Sequence, residues 1–176
     1  MERSSFSDFS CSIARTLEVI GEWWTLMILR DLFLGFERFD DIQRNLGVAS
    51  NILTARLKKM MEQGIVERHT DAQDKRVWRY SLTQQGRDLY PALLALTAWG
   101  DKWRTAEGQQ PLLVRHQHCG HVTSATPFCA MCKEELQLED IRFEAGPGGK
   151  ETPGTALMGQ VLGHPKELDS NPKKYK

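Results

Sequence analysis

Apolar residues recur at helical spacing through the first third of the chain and then give way to short alternating runs. Ile13, Leu17 and Ile20 predict a first helix, opened by Ser10 or Ser12 and punctuated by Gly21. Residues 23–34 are almost continuously apolar and predict a second, mostly buried helix that ends at Gly35. Phe39, Ile42 and Leu46 share one face of a short third helix over 38–46, with Gly47 as its left-handed cap. A fourth helix starts at Ser50, whose hydroxyl can accept from a first-turn amide, and buries Leu53, Leu57, Met60 and Met61. Residues 65–68 and 77–82 then read as two strands around a polar tip at 71–76. Along the second strand Val77, Arg79 and Ser81 face one side, and Trp78, Tyr80 and Leu82 the other. Thr83 opens a long fifth helix striped by Leu89, Leu93, Leu96, Trp99 and Trp103, which Pro91 should bend or divide. That stripe exceeds what a small core can cover, and its surplus suits a second subunit.

Composition narrows the classes. A chain of 176 residues, 40% hydrophobic, holds one compact domain and a small appendage, and a mean hydropathy of −0.46 leaves room for exposed segments. No apolar run is long enough to cross a bilayer, and the first residues lack the basic-then-apolar layout of a secretion signal. A cytoplasmic setting is therefore expected, in which four cysteines suggest metal binding or a reactive thiol before disulfides. No Gly-x-Ser-x-Gly elbow, phosphate-binding glycine loop or His-Glu-x-x-His motif is present, so no enzyme is expected.

Net charge is zero, which gives no global case for a nucleic-acid partner. The local distribution does: residues 50–59 carry Arg56, Lys58 and Lys59 and no acid, and residues 50–80 carry seven cations against four acids. Opposite the apolar face of the fourth helix lie Asn51, Thr54, Ala55 and Lys58; with Ser50 at the start, this side is short near the helix start, where it can approach base edges, and cationic further along, where it suits phosphates. Alone, this is equally the pattern of a solvated amphipathic helix. The hairpin tip with Lys75 and Arg76 tips the balance, because a basic helix feeding a cationic hairpin is how a winged helix-turn-helix holds DNA. The expected fold is α+β: a winged helix-turn-helix, mostly α with a β-hairpin wing, plus a small C-terminal zinc-ribbon-like element. Its expected divisions are a flexible start (1–9), a DNA-binding and dimerisation domain (10–106), the ribbon-like element (111–145) and a disordered tail (146–176).

The ordered motifs Cys11-Ser-Ile-Ala-Arg-Thr-Leu-Glu-Val-Ile-Gly21, Trp24-Thr-Leu-Met-Ile-Leu-Arg-Asp-Leu32, Arg38-Phe-Asp-Asp-Ile42, Leu53-Thr-Ala-Arg-Leu57, Gly64-Ile-Val-Glu-Arg68 and Tyr80-Ser-Leu-Thr-Gln-Gln-Gly86 resemble the HxlR family of bacterial winged-helix regulators over roughly residues 11 to 104. The resemblance implies a homodimer, formed by the first and last helices of the domain, on a pseudo-palindromic DNA operator. In that reading helix 50–63 enters the major groove and wing 69–77 lies on the flanking backbone. Many members carry proline where this chain has Ser12, and proline-lysine where it has Ser50-Asn51. The second departure shifts base preference, since asparagine pairs with adenine and lysine with guanine. The runner-up reading is a winged-helix and zinc-ribbon module that docks protein instead of DNA.

Two further sets of residues carry chemistry. Cys129-x-x-Cys132 and His116-x-x-Cys119-Gly120 repeat one chelating spacing and predict a closed, structural Cys3His zinc site, with His118 or His121 as alternatives to His116. A redox pair or a relict without metal would leave the same spacing. Cys11, at the head of the first helix, is a candidate redox or effector sensor. The simpler reading, an apolar cysteine at a dimer seam, is preferred.

Overall fold

A computed structural model describes residues 5–138 together with Ile141, Thr152 and Thr155. The expectation of disorder over 146–176 thus falls, those two threonines apart, outside the described residues. The chain divides into two compact units, residues 19–125 and residues 1–18 with 126–176.

In the larger unit, α2 (Trp23–Phe33), α3 (Phe39–Leu46) and α4 (Ser50–Glu62) surround a core completed by the hairpin β1 (Val66–Thr70) and β2 (Trp78–Leu82). Ile28, Leu29, Ile42, Leu53, Leu57, Met60 and Ile65 are wholly buried, each contributing about 2 kcal/mol by leaving water. The apolar spacing that predicted the three helices is the spacing that fills this core. Gly47 takes the left-handed cap of α3 (φ 61°), as its position implied. The strands pair antiparallel in the register Val66 with Leu82 and Thr70 with Trp78. Tyr80 and Leu82 face the core, while Trp78, on the same face, lies beyond its edge and is exposed. Arg38 and Glu37 add a short third edge: Arg38 bridges Arg79, and the Tyr80 N–H donates to the Glu37 carbonyl at 2.8 Å.

One polar group sits inside this core. Asp31 is fully buried near the end of α2, and its carboxylate accepts from the Arg30 guanidinium (2.6 and 2.9 Å) and from Asn45 Nδ2 of α3 (2.8 Å). The carboxylate thereby ties α2 to α3.

One sequence expectation changes here, and another settles on one of its two alternatives. Ser50 does not cap α4: the cap is Ala49, whose carbonyl already accepts from the Ile52 and Leu53 amides, leaving Ser50 as the first helical residue. The long fifth helix is two pieces, α5 (Gln84–Arg87) and α6 (Tyr90–Arg104), broken immediately before Pro91, which takes the first turn of α6 where its missing amide costs nothing. Thr83 does cap α5, its hydroxyl accepting from the Gly86 N–H at 3.1 Å and donating to the Gly64 carbonyl at 2.6 Å.

Gly86 fits because it has no side chain. A Cβ there would stand 2.1 Å from the Ile65 carbonyl oxygen, a backbone atom that cannot step aside. Gly86→Ala is expected to destabilise the fold by about 2 kcal/mol, read as a lower urea midpoint at unchanged slope. A midpoint equal to that of the parent protein would refute the close packing.

In the smaller unit side-chain bonds hold the described opening stretch, from Ser5 on. The Phe6 N–H donates to the Glu18 carboxylate at 2.8 Å, the Ser5 hydroxyl donates to it at 3.2 Å, and the Phe6 and Phe9 rings meet edge to face. Glu18 belongs to α1 (Ser12–Ile20) and holds the preceding chain by charge-assisted bonds that composition alone does not reveal.

Candidate nucleic-acid interface

Helical geometry sorts the side chains of α4. Leu53, Leu57 and Met60 point into the core, so Ser50, Asn51, Thr54, Ala55 and Lys58 emerge on the opposite side, all exposed. Lys59 is half-buried on the flank. Lys58 reaches Glu62 one turn on, at 3.8 Å across open water, a pair too solvated to hold it.

Arg56 departs from the expected set. Its position lies beside the buried stripe, its side chain is only 17% exposed, and its guanidinium pairs with Glu22 at 3.2 Å. It braces α4 against the start of α2 instead of presenting an open cation.

The wing is built as a braced hairpin. Asp71 starts the tip by accepting from the Gln73 and Asp74 amides at 2.7 and 3.1 Å, the self-closing turn that aspartate favours. Its other oxygen takes the Arg79 guanidinium, which also donates to Glu37 at 3.0 Å. The two amides, chiefly that of Gln73, and the arginine hold the Asp71 carboxyl down at about 2. It therefore stays ionised throughout any working pH, and the brace does not act as a pH switch. The Asp71 N–H donates to the Val77 carbonyl at 2.8 Å and closes the tip. Beyond it Lys75 is exposed, and Arg76, 91% exposed, rests bidentate on Asp74. Arg68 stacks over Trp78, 4.4 Å from the ring centroid. Sequence reasoning missed the Asp71–Arg79–Glu37 brace, although an aspartate opening a turn between two strands was a legible signal for its first half.

The described helices include none long and apolar enough to cross a membrane. The order α2, α3, α4, then a hairpin with a cationic tip is that of a winged helix-turn-helix with its fourth-helix polar face open. A family model described as HxlR-like helix-turn-helix matches residues 19–108. An HTH-type transcriptional regulator of Mycobacterium tuberculosis is 38% identical over 139 residues, covering 79% of this chain and 88% of the relative. The chain belongs to the HxlR family. It is accordingly a DNA-binding transcriptional regulator and not an enzyme. The family fold is also that of PA1607, a protein described as a transcription factor, at 33% identity and a TM-score of 0.74, covering 81% of this chain and all of that one. A second protein so described, PA1374 of Pseudomonas aeruginosa, matches at 35% identity and a TM-score of 0.56, over 80% of this chain and 96% of that one.

The residues expected to bind metal or sense oxidants lie outside this face. Cys11 is a free, half-buried thiol immediately before α1. His116 Nδ1 lies 3.2 Å from Cys119 Sγ. Cys129 and Cys132 are free thiols; hydrogen bonds to Cys129 from the Cys132 amide foremost, then from the Met131 amide and the Cys132 side chain, lower its thiol below the ordinary value. The described residues include no group of three or more histidine, cysteine or acidic side chains placed to hold a metal ion; the four expected ligands come as these two pairs.

Proposed function

We propose that this HxlR-family regulator acts as a cytoplasmic homodimer on a pseudo-palindromic operator. α4 enters the major groove of each half-site and the wing lies on the flanking backbone. The observation that carries this reading is the open polar face of α4, rimmed by Lys58 and Lys59 and followed by a braced wing that ends in Lys75 and Arg76. Asn51, Thr54 and Ala55 read base edges, and Ser50 donates to the nearest phosphate. Arg56 contributes by fixing the helix angle through Glu22.

A dimer is supported by α6, which has no buried residue. Leu96, Trp99 and Trp103 line one side of it, each more than half exposed, with Lys102 and Arg104 stacked on the two indoles at 5.0 and 5.3 Å. A stripe of that size in water marks an association surface. Half-sites one helical turn apart, about 34 Å, would then be read together.

The test is selection of bound sequences from a random pool, followed by light scattering on the purified protein. A two-fold symmetric site and a mass of two chains are expected. Asn51→Ala should lose preference at one base pair per half-site by about 2 kcal/mol while leaving affinity for unrelated DNA unchanged. A selected site without symmetry, or an Asn51→Ala variant with the parent's preference, would overturn the reading.

Cys11 stays a candidate second input to the same protein beside the preferred structural reading, as a free, half-buried thiol seated where α1 begins. Diamide should change operator affinity in the parent and leave Cys11→Ser unaffected; an equal response in both removes Cys11 from any sensing role.

A further inference from the structure

The two faces of the hairpin differ in charge. Antiparallel pairing of Arg68 with Tyr80 and of Thr70 with Trp78 puts those four side chains on one face. Nearer the base, the same face carries Val66 and Leu82 into the core. The opposite face carries Glu67, His69, Arg79 and Ser81. Carboxylates gather on this second face: Asp71 and Glu37 hold Arg79, and Glu67 accepts from the Ser81 hydroxyl at 3.4 Å. On the first face, past the edge of the core, the exposed residues are Arg68, Thr70 and Trp78, one cation and no acid.

The same sorting decides which cations of the wing are open to a polyanion. Arg79 is engaged by two carboxylates. Arg76, at the tip, rests on both oxygens of Asp74 at 3.0 and 3.1 Å. That solvated pair opens readily, but the acid stays beside it and repels an approaching phosphate. Lys75 and Arg68 remain, and among the described residues no carboxylate pairs with either. Lys75 is an ammonium on a flexible stem in an exposed turn. Arg68 is held, its guanidinium 4.4 Å from the centroid of the Trp78 ring.

A guanidinium over an indole keeps its N–H donors, because the ring face offers π density in place of an acceptor atom. The contact also orders the side chain before a ligand arrives, so less rotamer freedom is lost on binding. Trp78 is 42% exposed although it stands in line with the buried Tyr80 and Leu82. The core leaves this large ring in water, and its contact there is with Arg68.

We infer that Arg68, seated on Trp78, is a further DNA contact of this protein. Its planar N–H edge takes one backbone phosphate beside the half-site, on the wing face that carries no acid, and Trp78 positions it without touching the duplex. The inference rests on the docking of α4 and the wing proposed above. It adds a pair that neither the motifs nor the cationic tip indicated. A phosphate accepts a guanidinium through two oxygens, a geometry that a stacked arginine presents and a lysine does not. Contact with the backbone carries no base preference, so the gain is affinity on every sequence.

The test is binding of the full chain to an end-labelled duplex of mixed sequence, titrated over a series of salt concentrations. For each chain bound, Arg68→Ala should weaken binding about fivefold near physiological salt and lower the log-log slope by about one. Arg68→Lys should keep the slope and lose part of the affinity, since the charge survives and the stacked fork does not. Trp78→Leu should weaken binding about threefold at unchanged slope, the worth of an exposed cation–π contact. Arg68→Ala/Trp78→Leu should bind no more weakly than Arg68→Ala alone, a non-additivity that a merely structural tryptophan would not produce. Both side chains are exposed, so urea midpoints near the parent's are expected. Arg68→Ala with the parent's slope, in a protein whose slope still falls with Lys58→Ala/Lys59→Ala/Lys75→Ala, overturns this contact and leaves the docking of α4 standing. A slope that neither variant changes overturns the docking itself. A double variant weaker than Arg68→Ala by the full effect of Trp78→Leu overturns the positioning role of Trp78.

Discussion

Asp31→Ala is expected to cost the fold about 3 kcal/mol. The carboxylate is wholly out of water and satisfies two partners, the guanidinium of Arg30 and the amide of Asn45. Removing it strands both and leaves a void at the joint of α2 and α3. The Arg30 side chain is 35% exposed and can turn partly to solvent, which keeps the loss at the lower end for a broken buried pair. Urea unfolding followed by circular dichroism checks this. A change under about 0.5 kcal/mol, the scale of an ordinary surface substitution, would mean that the network adds nothing to stability. Asp31→Asn should fall between the two, since it keeps shape and one acceptor but gives up the charge.

The second large effect is on DNA. The triple variant Lys58→Ala/Lys59→Ala/Lys75→Ala should weaken binding to every sequence, specific or not. If each lysine neutralises one phosphate, the log-log slope of affinity against salt should fall by about three, and each charge should be worth about fivefold near physiological salt. The fold should survive, because Lys58 and Lys75 are exposed and none of the three has a buried partner. A slope unchanged by the triple variant would remove α4 and the wing from the duplex and favour a protein partner for the same face. Asn51→Ala, by contrast, alters preference among sequences and leaves the slope alone. The two variants together separate phosphate contact from base reading.

The helix order and the hairpin were legible because one apolar stripe per element is a strong signal in a core this small. Leu53, Leu57 and Met60 could face only inward, which placed Asn51 and Thr54 outward before any coordinates. What escaped the sequence was chosen by tertiary contact. Ala49 caps α4 because its carbonyl is already engaged one residue early, a fact no capping preference contains. Arg56 looked like another phosphate cation, yet Glu22, far from it in sequence, claims it. The same holds for Glu18, which fastens Phe6 through its amide and Ser5 through its hydroxyl, residues that composition treats as loose.

Thr83 joins three things through one hydroxyl and its own amide: the end of α4 at Gly64, the strand base at Ile65 and the first turn of α5 at Gly86. Gly86 presses directly on the same backbone. Reader and wing are consequently welded into a single head, and the chain leaves that head by way of α5 and α6. A signal arriving along α6 has no give inside the head to exploit. In the proposed dimer it would swing two intact heads nearer or farther apart, so any effector response would be a matter of span, felt most by operators whose half-sites are spaced a base pair too wide or too close.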